Sequence, residues 1–412
     1  MDYYKRKDCR YCGSKDLTMF CDLGKHAPSN SFVKKEEIKS EKIFPLALSI
    51  CNQCTLVQLQ DVVSGENIFK DYHYLSSSSK ALVNHFSKMA DYISEKFNLE
   101  SNDLVIDIGC NDGISLNSYK IKGLNLLGVE PSNVADIAKD KGFNVIKSFF
   151  NNETSKGIIS KYGLAKIITA TNVFAHIDDM HSFMEGIPNL LDINGVLIVE
   201  VSYLLDLIDN NLFDTIYHEH LCYLNLTAVI PFIKKFGLEV FDLQRKEVGA
   251  SGPSITFFIK KKDSEIPVSE IVAKTLQKES DWGIKKLDNF IKFDDNIKEL
   301  RLNTLSLINK LKLDGNKIGG FGAPAKGNTL LTYYGLTSKN IEVIADNTKL
   351  KYGKVTPGSH ISIVNDNEFI ALGFDYALLL SWNYKDFFIN NSEYIKQGGK
   401  FIVPFPKPTI LP

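Results

Sequence analysis

From Leu104 to about Lys262 short apolar runs alternate with longer mixed stretches, the runs being LVIDIGC, NLLGVEP, FNVIKSF, KIITATNVF, GVLIVEVSY, LEVFDLQ and SITFFIK. Runs of this length, rich in Val, Ile and Phe, read as strands buried on both faces, and the spacers have room for crossover helices. The pattern predicts an α/β doubly wound sheet that holds its ligand at the carboxyl ends of its strands. A shorter series starts at Asn316, where KIGGFGAPAKGNTLLTYYG reads as strand, glycine loop and helix, and IEVIADN, DYALLLSW and KFIVPF read as further strands. Residues 263–315 between the two series are polar and mainly helical in pattern, as in a connector. An amphipathic helix runs from a cap at Ser79 or a neighbour to about Asn98. The resulting expectation is four pieces: 1–70, 71–262, 263–315 and 316–412.

At 412 residues the chain is long enough for more than one core. Lys and Arg total 48 against 49 Asp and Glu, which gives no general attraction to nucleic acid. No run is long enough to span a membrane and the charged start MDYYKRKD has no signal-peptide core, so a cytoplasmic monomer is expected, with no nucleic-acid or membrane partner.

Chemistry enters at the two ends of the chain and in its middle. Cys9-x-x-Cys12 and Cys51-x-x-Cys54 form two knuckles with 38 residues between them. Such turns each present two thiolates and together complete a tetrahedral zinc site; with four protein ligands the metal has no open position and is structural. Cys21, Cys110 and Cys222 read as packed thiols.

The stretch LVIDIGCNDG organises the middle. It reads as a buried strand, a tight turn at Gly109 and Gly113, and a helix whose first N–H groups face a ligand. Asp107 lies within that strand, and Glu130 ends the next one, where an acid accepts hydrogen bonds from ribose hydroxyls. Asn111, Asn172, His176, Glu200 and Tyr203 also fall at strand ends. The insertion Leu204–Leu226 carries Tyr217, His218, Glu219 and His220 in a row, a concentration of groups suited to proton transfer; H-E-H is not the zincin spacing. In the second series, GGFGAPAKGNT lacks the full P-loop, which excludes nucleotide hydrolysis but leaves its amides, Lys326 and Asn328 as contacts for a diphosphate. Tyr72, Tyr74 and Ser76, ahead of the first helix, read either as a linker or as a ligand-facing loop.

The spelling hydrophobic-Asp-x-Gly-x-x-x-Gly resembles the first motif of S-adenosylmethionine (SAM) methyltransferases. Together, and in this order, the knuckles, VIDIGCNDG, DTIYHEHLCY and GAPAKGNTLL resemble the nucleotide-sugar C-methyltransferases, among them the 3-C-methyltransferase of tetronitrose biosynthesis. The resemblance implies an N-terminal zinc-binding module, a central Rossmann-like SAM domain and a C-terminal Rossmann-like α/β domain that helps hold a nucleotide-linked 4-keto-6-deoxy sugar. It implies zinc on Cys9, Cys12, Cys51 and Cys54, and SAM near Asp107, Gly109 and Glu130; Asn111, Gly113 and Asn172 are expected at the same site from their places in the turn and at the strand ends. It implies His220 as the base beside Tyr217 and Glu219, with His176 a further active-site histidine and Tyr72, Tyr74 and Ser76 on the family's Y-x-Y-x-S segment. Where that family tends to have His-Gly-Gly-Ser and a basic residue, this chain reads VGASGPSIT from Val248, so its contacts there differ. Two other readings are an O- or N-methyltransferase of a small metabolite and a binding protein without chemistry.

Overall fold

The computed structural model describes residues 3–65, 68, 75–246 and 252–412. Tyr72, Tyr74 and residues 248–251 of the departing segment lie outside the described residues.

The N-terminal strands are β1 (Tyr3–Lys5), β2 (Leu17–His26), β3 (Val33–Lys34), β4 (Phe44–Cys51), β5 (Val57–Leu59) and β6 (Asp61–Val63). Strands β2, β4 and β5 form a small antiparallel sheet; the second cysteine knuckle spans the turn from β4 to β5, and the first lies in the segment between β1 and β2. All seven apolar runs of the middle are strands: β7 (Leu104–Ile108), β8 (Asn125–Val129), β9 (Asn144–Ile146), β10 (Ala165–Thr171), β11 (Leu191–Ser202), β13 (Leu238–Lys246) and β14 (Ser254–Lys261). They form one sheet in the order β13-β14-β11-β10-β7-β8-β9. The pairings from β11 to β9 are parallel, and β14 runs antiparallel between β11 and β13. The chain changes direction across the sheet between β7 and β10, the place where a doubly wound sheet opens a crevice.

The helix after Ser79 spans Lys80–Lys96, and the Ser79 hydroxyl accepts from the Leu82 amide. The helix expected after β7 does not form. Asn111 at φ 51° and Gly113 at φ 81° both sit in the left-handed region, which interrupts right-handed winding, and only one 3-10 turn, Leu116–Ser118, follows.

The connector holds two helices, Glu270–Trp282 and Leu287–Leu313. The C-terminal strands are β15 (Ile318–Phe321), β16 (Val343–Ala345), β17 (Lys354–Val355), β18 (Ser362–Val364), β19 (Tyr376–Leu379), β20 (Lys400–Val403) and β21 (Thr409–Leu411), with the helix Ala325–Tyr334 after β15. Strands β1 and β6 pair separately, and two of the three larger sheets take in a strand from another part of the chain. Strand β3, from the zinc-module part of the chain, is the edge of the C-terminal sheet beside β17, and β12 (Cys222–Tyr223), from the central insertion, extends the zinc-module sheet beside β5. Among the described residues no helix is long and apolar enough to cross a membrane.

Candidate active site

A cavity of about 990 Å³ opens at the carboxyl ends of β7, β8 and β10 and is walled by the N-terminal, central and C-terminal parts of the chain but not by the connector. At one end lies the turn after β7. The Gly109 amide donates to the Val129 carbonyl at 2.7 Å, at φ 72°, and a Cβ there would sit 2.2 Å from Cγ2 of Val173, so the position requires glycine. The turn brings the Asn111 amide to Oε2 of Glu130 at 3.0 Å, and Ser132 donates to Oε1 at 3.0 Å. Each Glu130 oxygen keeps a second lone pair, and the residue lines the cavity, which suits a vicinal diol such as a ribose. Asp107 accepts from the Thr169 hydroxyl at 2.6 Å. Burial pushes its carboxyl up to about 7, a rise to which the Glu130 charge adds and which the Thr169 bond opposes. Ser76 joins this end, its amide donating to the Asn111 side chain at 2.9 Å. Asn172, at φ 56° after β10, also lines the cavity, whereas Gly113 turns beneath it against Phe143.

The middle of the cavity carries the histidines. Tyr217–His220 form a turn closed by the His220 amide on the Tyr217 carbonyl at 2.8 Å. The turn does what a helix would have done for these two residues: their rings lie 3.9 Å apart, centroid to centroid. Nδ1 of His220 contacts the Thr215 carbonyl at 2.8 Å. A carbonyl can only accept, so Nδ1 carries the hydrogen and Nε2 keeps its lone pair. Burial lowers the imidazole to about 4, opposed by that bond, so the ring is neutral at neutral pH. His176, on the turn after β10, has its ring 5.0 Å from that of His220 and is also held well below the ordinary histidine value by burial.

Three ties fix this turn to the zinc module. Asn30 donates to Oε1 of Glu219 at 2.7 Å, Nε2 of His218 reaches the Pro45 carbonyl at 3.0 Å, and β12 pairs with β5. Burial pushes the Glu219 carboxyl up to about 7 against the Asn30 bond.

The far end belongs to the C-terminal part. Lys326 lines the cavity with its ammonium bonded to Asn383 and 4.2 Å from the Trp382 ring centroid. Burial lowers it to about 8, while the Asp214 charge holds it up. The glycine loop is less open to a diphosphate than its spelling implied. Asp346 takes the Ala323 amide at 2.8 Å, and the Gly322 amide bonds the Ala345 carbonyl at 2.8 Å. Asn328 is turned away from the cavity, donating to the Ser29 carbonyl at 2.7 Å. No sequence signal pointed to Asn30, Thr215 or Asp346, whose parts depend on contacts distant along the chain.

The cysteine knuckles form two near-identical turns. The Gly13 amide bonds the Cys9 carbonyl at 2.9 Å, and the Thr55 amide bonds the Cys51 carbonyl at 2.8 Å. The four sulfurs lie within 4.8 Å of one another, with Cys9–Cys54 at 3.4 Å and Cys12–Cys51 at 3.5 Å. A tetrahedron of Zn–S bonds of about 2.3 Å has edges of about 3.8 Å. The donor set therefore fits zinc, closed on all sides and structural.

Residues 9–69 match a putative zinc binding domain, 83–243 a methyltransferase domain, and 249–406 a C-methyltransferase C-terminal domain. Over 407 residues the chain is 34% identical to the C-methyltransferase NovU of Streptomyces niveus, covering 98% of this chain and 96% of that one. The chain belongs to the C-methyltransferase family. It is a SAM-dependent C-methyltransferase with a structural zinc site. Among solved structures, a SAM-dependent methyltransferase from Clostridium acetobutylicum is 14% identical, covering 43% of this chain and 92% of that one at a TM-score of 0.32. The magnesium protoporphyrin IX methyltransferase of Synechocystis is 12% identical, with 43% and 89% covered and a TM-score of 0.33. Glu130 and Asp107 line the cavity beside the turn after β7 and would be the groups to hold SAM, which when bound supplies an electrophilic methyl group.

Proposed function

We propose that the methyltransferase methylates C3 of a nucleotide-linked 4-keto-6-deoxy sugar through an enolate, in deoxysugar biosynthesis. A carbon becomes a nucleophile once a proton alpha to a ketone is removed, and this requires a base in its unprotonated form inside a water-poor site. The observation that carries the reading is His220: neutral, with Nδ1 committed to the Thr215 carbonyl and Nε2 left as the acceptor. Nε2 takes the C3 proton, and charge moves to the C4 oxygen. Tyr217, its ring tilted against that of His220 with centroids 3.9 Å apart, would meet that oxygen, with His176 beside them and Tyr72 or Tyr74 as further candidates. The carbanion carbon then bonds the methyl group as the carbon–sulfur bond breaks. Lys326 would meet the diphosphate from the C-terminal wall, and Ser76 lines the cavity at the end of the turn after β7.

An O- or N-methyl acceptor already has its lone pair and would not exchange a carbon-bound hydrogen. The test is mass spectrometry of dTDP-, GDP- and CDP-linked 4-keto-6-deoxy sugars, with and without oxygen at C3, incubated with SAM in deuterated water. The expected result is one sugar that gains one methyl and, without SAM, one deuterium. His220→Gln is expected to lower both by about 10²–10⁴-fold. Near-normal turnover in that variant with SAM binding intact would overturn the assignment of the base.

A further inference from the structure

Arg10 follows the knuckle residue Cys9, and its side chain is 0% exposed. A buried guanidinium is tolerated only when its donors are met. Here Nη1 bonds the Leu59 carbonyl at 2.6 Å, while Nε and Nη2 reach Oδ1 of Asp178 at 3.0 and 2.9 Å. Asp178 lines the cavity two residues after His176. Its other oxygen accepts from the Tyr4 hydroxyl, and its carbonyl accepts from Arg6 at 3.2 Å.

The other side of His176 is held by the same strand. The Leu221 amide donates to the Ala175 carbonyl at 2.8 Å, and the Leu221 carbonyl accepts from the Leu59 amide at 3.0 Å. The segment 175–178 is thus pinned at both ends through Leu59 and Arg10, groups whose placement follows from the two zinc knuckles. His176 sits between the pins, against His220.

We propose that Arg10 and Asp178 are positioning residues that transmit the geometry of the zinc knuckle to His176 and so set the alignment of the histidine pair. The contribution of the zinc module to catalysis is then the placement of a ring, in addition to stability. A misplacement of about 1 Å is enough to cost about 10²-fold in rate.

The test uses full-length, zinc-loaded protein labelled with ¹³C-histidine, as Arg10→Gln, Asp178→Asn and the double variant. Zinc content, the His176 ring resonance (assigned with His176→Gln), the KM for SAM and turnover of the methylated sugar are measured together. The expected result is full zinc content, a KM for SAM within about twofold, a displaced His176 resonance and kcat lower by about 10–100-fold. The double variant is expected to be no worse than the worse single one, because both cut one link. Arg10→Lys keeps the charge but loses the fork, and should fall between. A wild-type His176 resonance in zinc-loaded Arg10→Gln would overturn the proposal. Should Arg10→Gln lose zinc, Asp178→Asn, which leaves the knuckle intact, decides by the same resonance. The resonance needs no substrate, so failure to find a methylated sugar would count against the proposed reaction and not against this link.

Discussion

At the scale of single residues, the site works by setting protonation states through burial. Protonation of His220 would abolish its proposed action as a base, and burial holds that event down at about 4. Deuterium exchange into the sugar should therefore lose its acid limb near that value, displaced from the ordinary histidine value of about 6.5. A limb near the ordinary value would show that Nε2 is hydrated in the working enzyme. Glu219 moves the opposite way, with a carboxyl that stays protonated up to about 7 and ionises above it. Glu219→Gln mimics the neutral form. It should keep exchange within about threefold of wild type one unit below that pH, and lose whatever change the wild type shows one unit above it. At the other end of the cavity, Glu130 offers its remaining lone pairs to a diol. Glu130→Gln removes the charge from those bonds, and hydrogen bonds to charged groups are worth about 1.5–3 kcal/mol. SAM binding measured by calorimetry should weaken by about 10–100-fold, while SAM-independent deuterium exchange at His220 continues.

At the scale of elements, the turn after β7 shows how close the packing is. Gly109→Ala adds a left-handed alanine, about 1–2 kcal/mol, and a Cβ inside the Val173 side chain, about 1–3 kcal/mol more. Denaturant unfolding should show a loss of about 2–5 kcal/mol, and adding Val173→Ala should restore only the packing part. The same turn marks the limit of what the sequence discloses. The strands of the central sheet were legible because each is an apolar run covered on both faces, a local property of the chain. The helix expected after Gly113 was not there, because left-handed Asn111 and Gly113 redirect the backbone and only a 3-10 turn follows. Strands β3 and β12 are two residues each and mixed in character, so nothing local announces that they cross into other sheets. The cluster Tyr217–His220 was visible by composition, but the tautomer that leaves Nε2 of His220 as an acceptor depends on Thr215 and a turn, and the Glu219 partner Asn30 lies 189 residues away.

At the scale of the whole molecule, the strand exchange makes the zinc module part of the frame instead of an appendage. Its sheet continues into β12, which begins two residues after His220, and β3 closes the edge of the C-terminal sheet. A small sheet with knuckles holding its ends depends on the metal for much of its folding free energy. Melting that sheet also removes the partner of β12, and it frees the chain that leads into β3, the edge partner of β17. Zinc loss should therefore destabilise the chain as one cooperative unit. Cys51→Ser is expected to lose zinc by metal analysis and to lower the midpoint of a single calorimetric transition, with the two-state criterion still met. Two separated transitions, with the second at the wild-type midpoint, would show that the module unfolds alone and that the shared strands contribute little. The intermediate case is informative as well: a variant that keeps the upper transition but loses exchange at C3 would separate the placement of the Tyr217–His220 turn from the stability of the sheets behind it. The ties at Asn30, Pro45 and β5 predict that placement goes first, since they hold the turn from the zinc side while β7, β10 and β11 hold the SAM end among themselves.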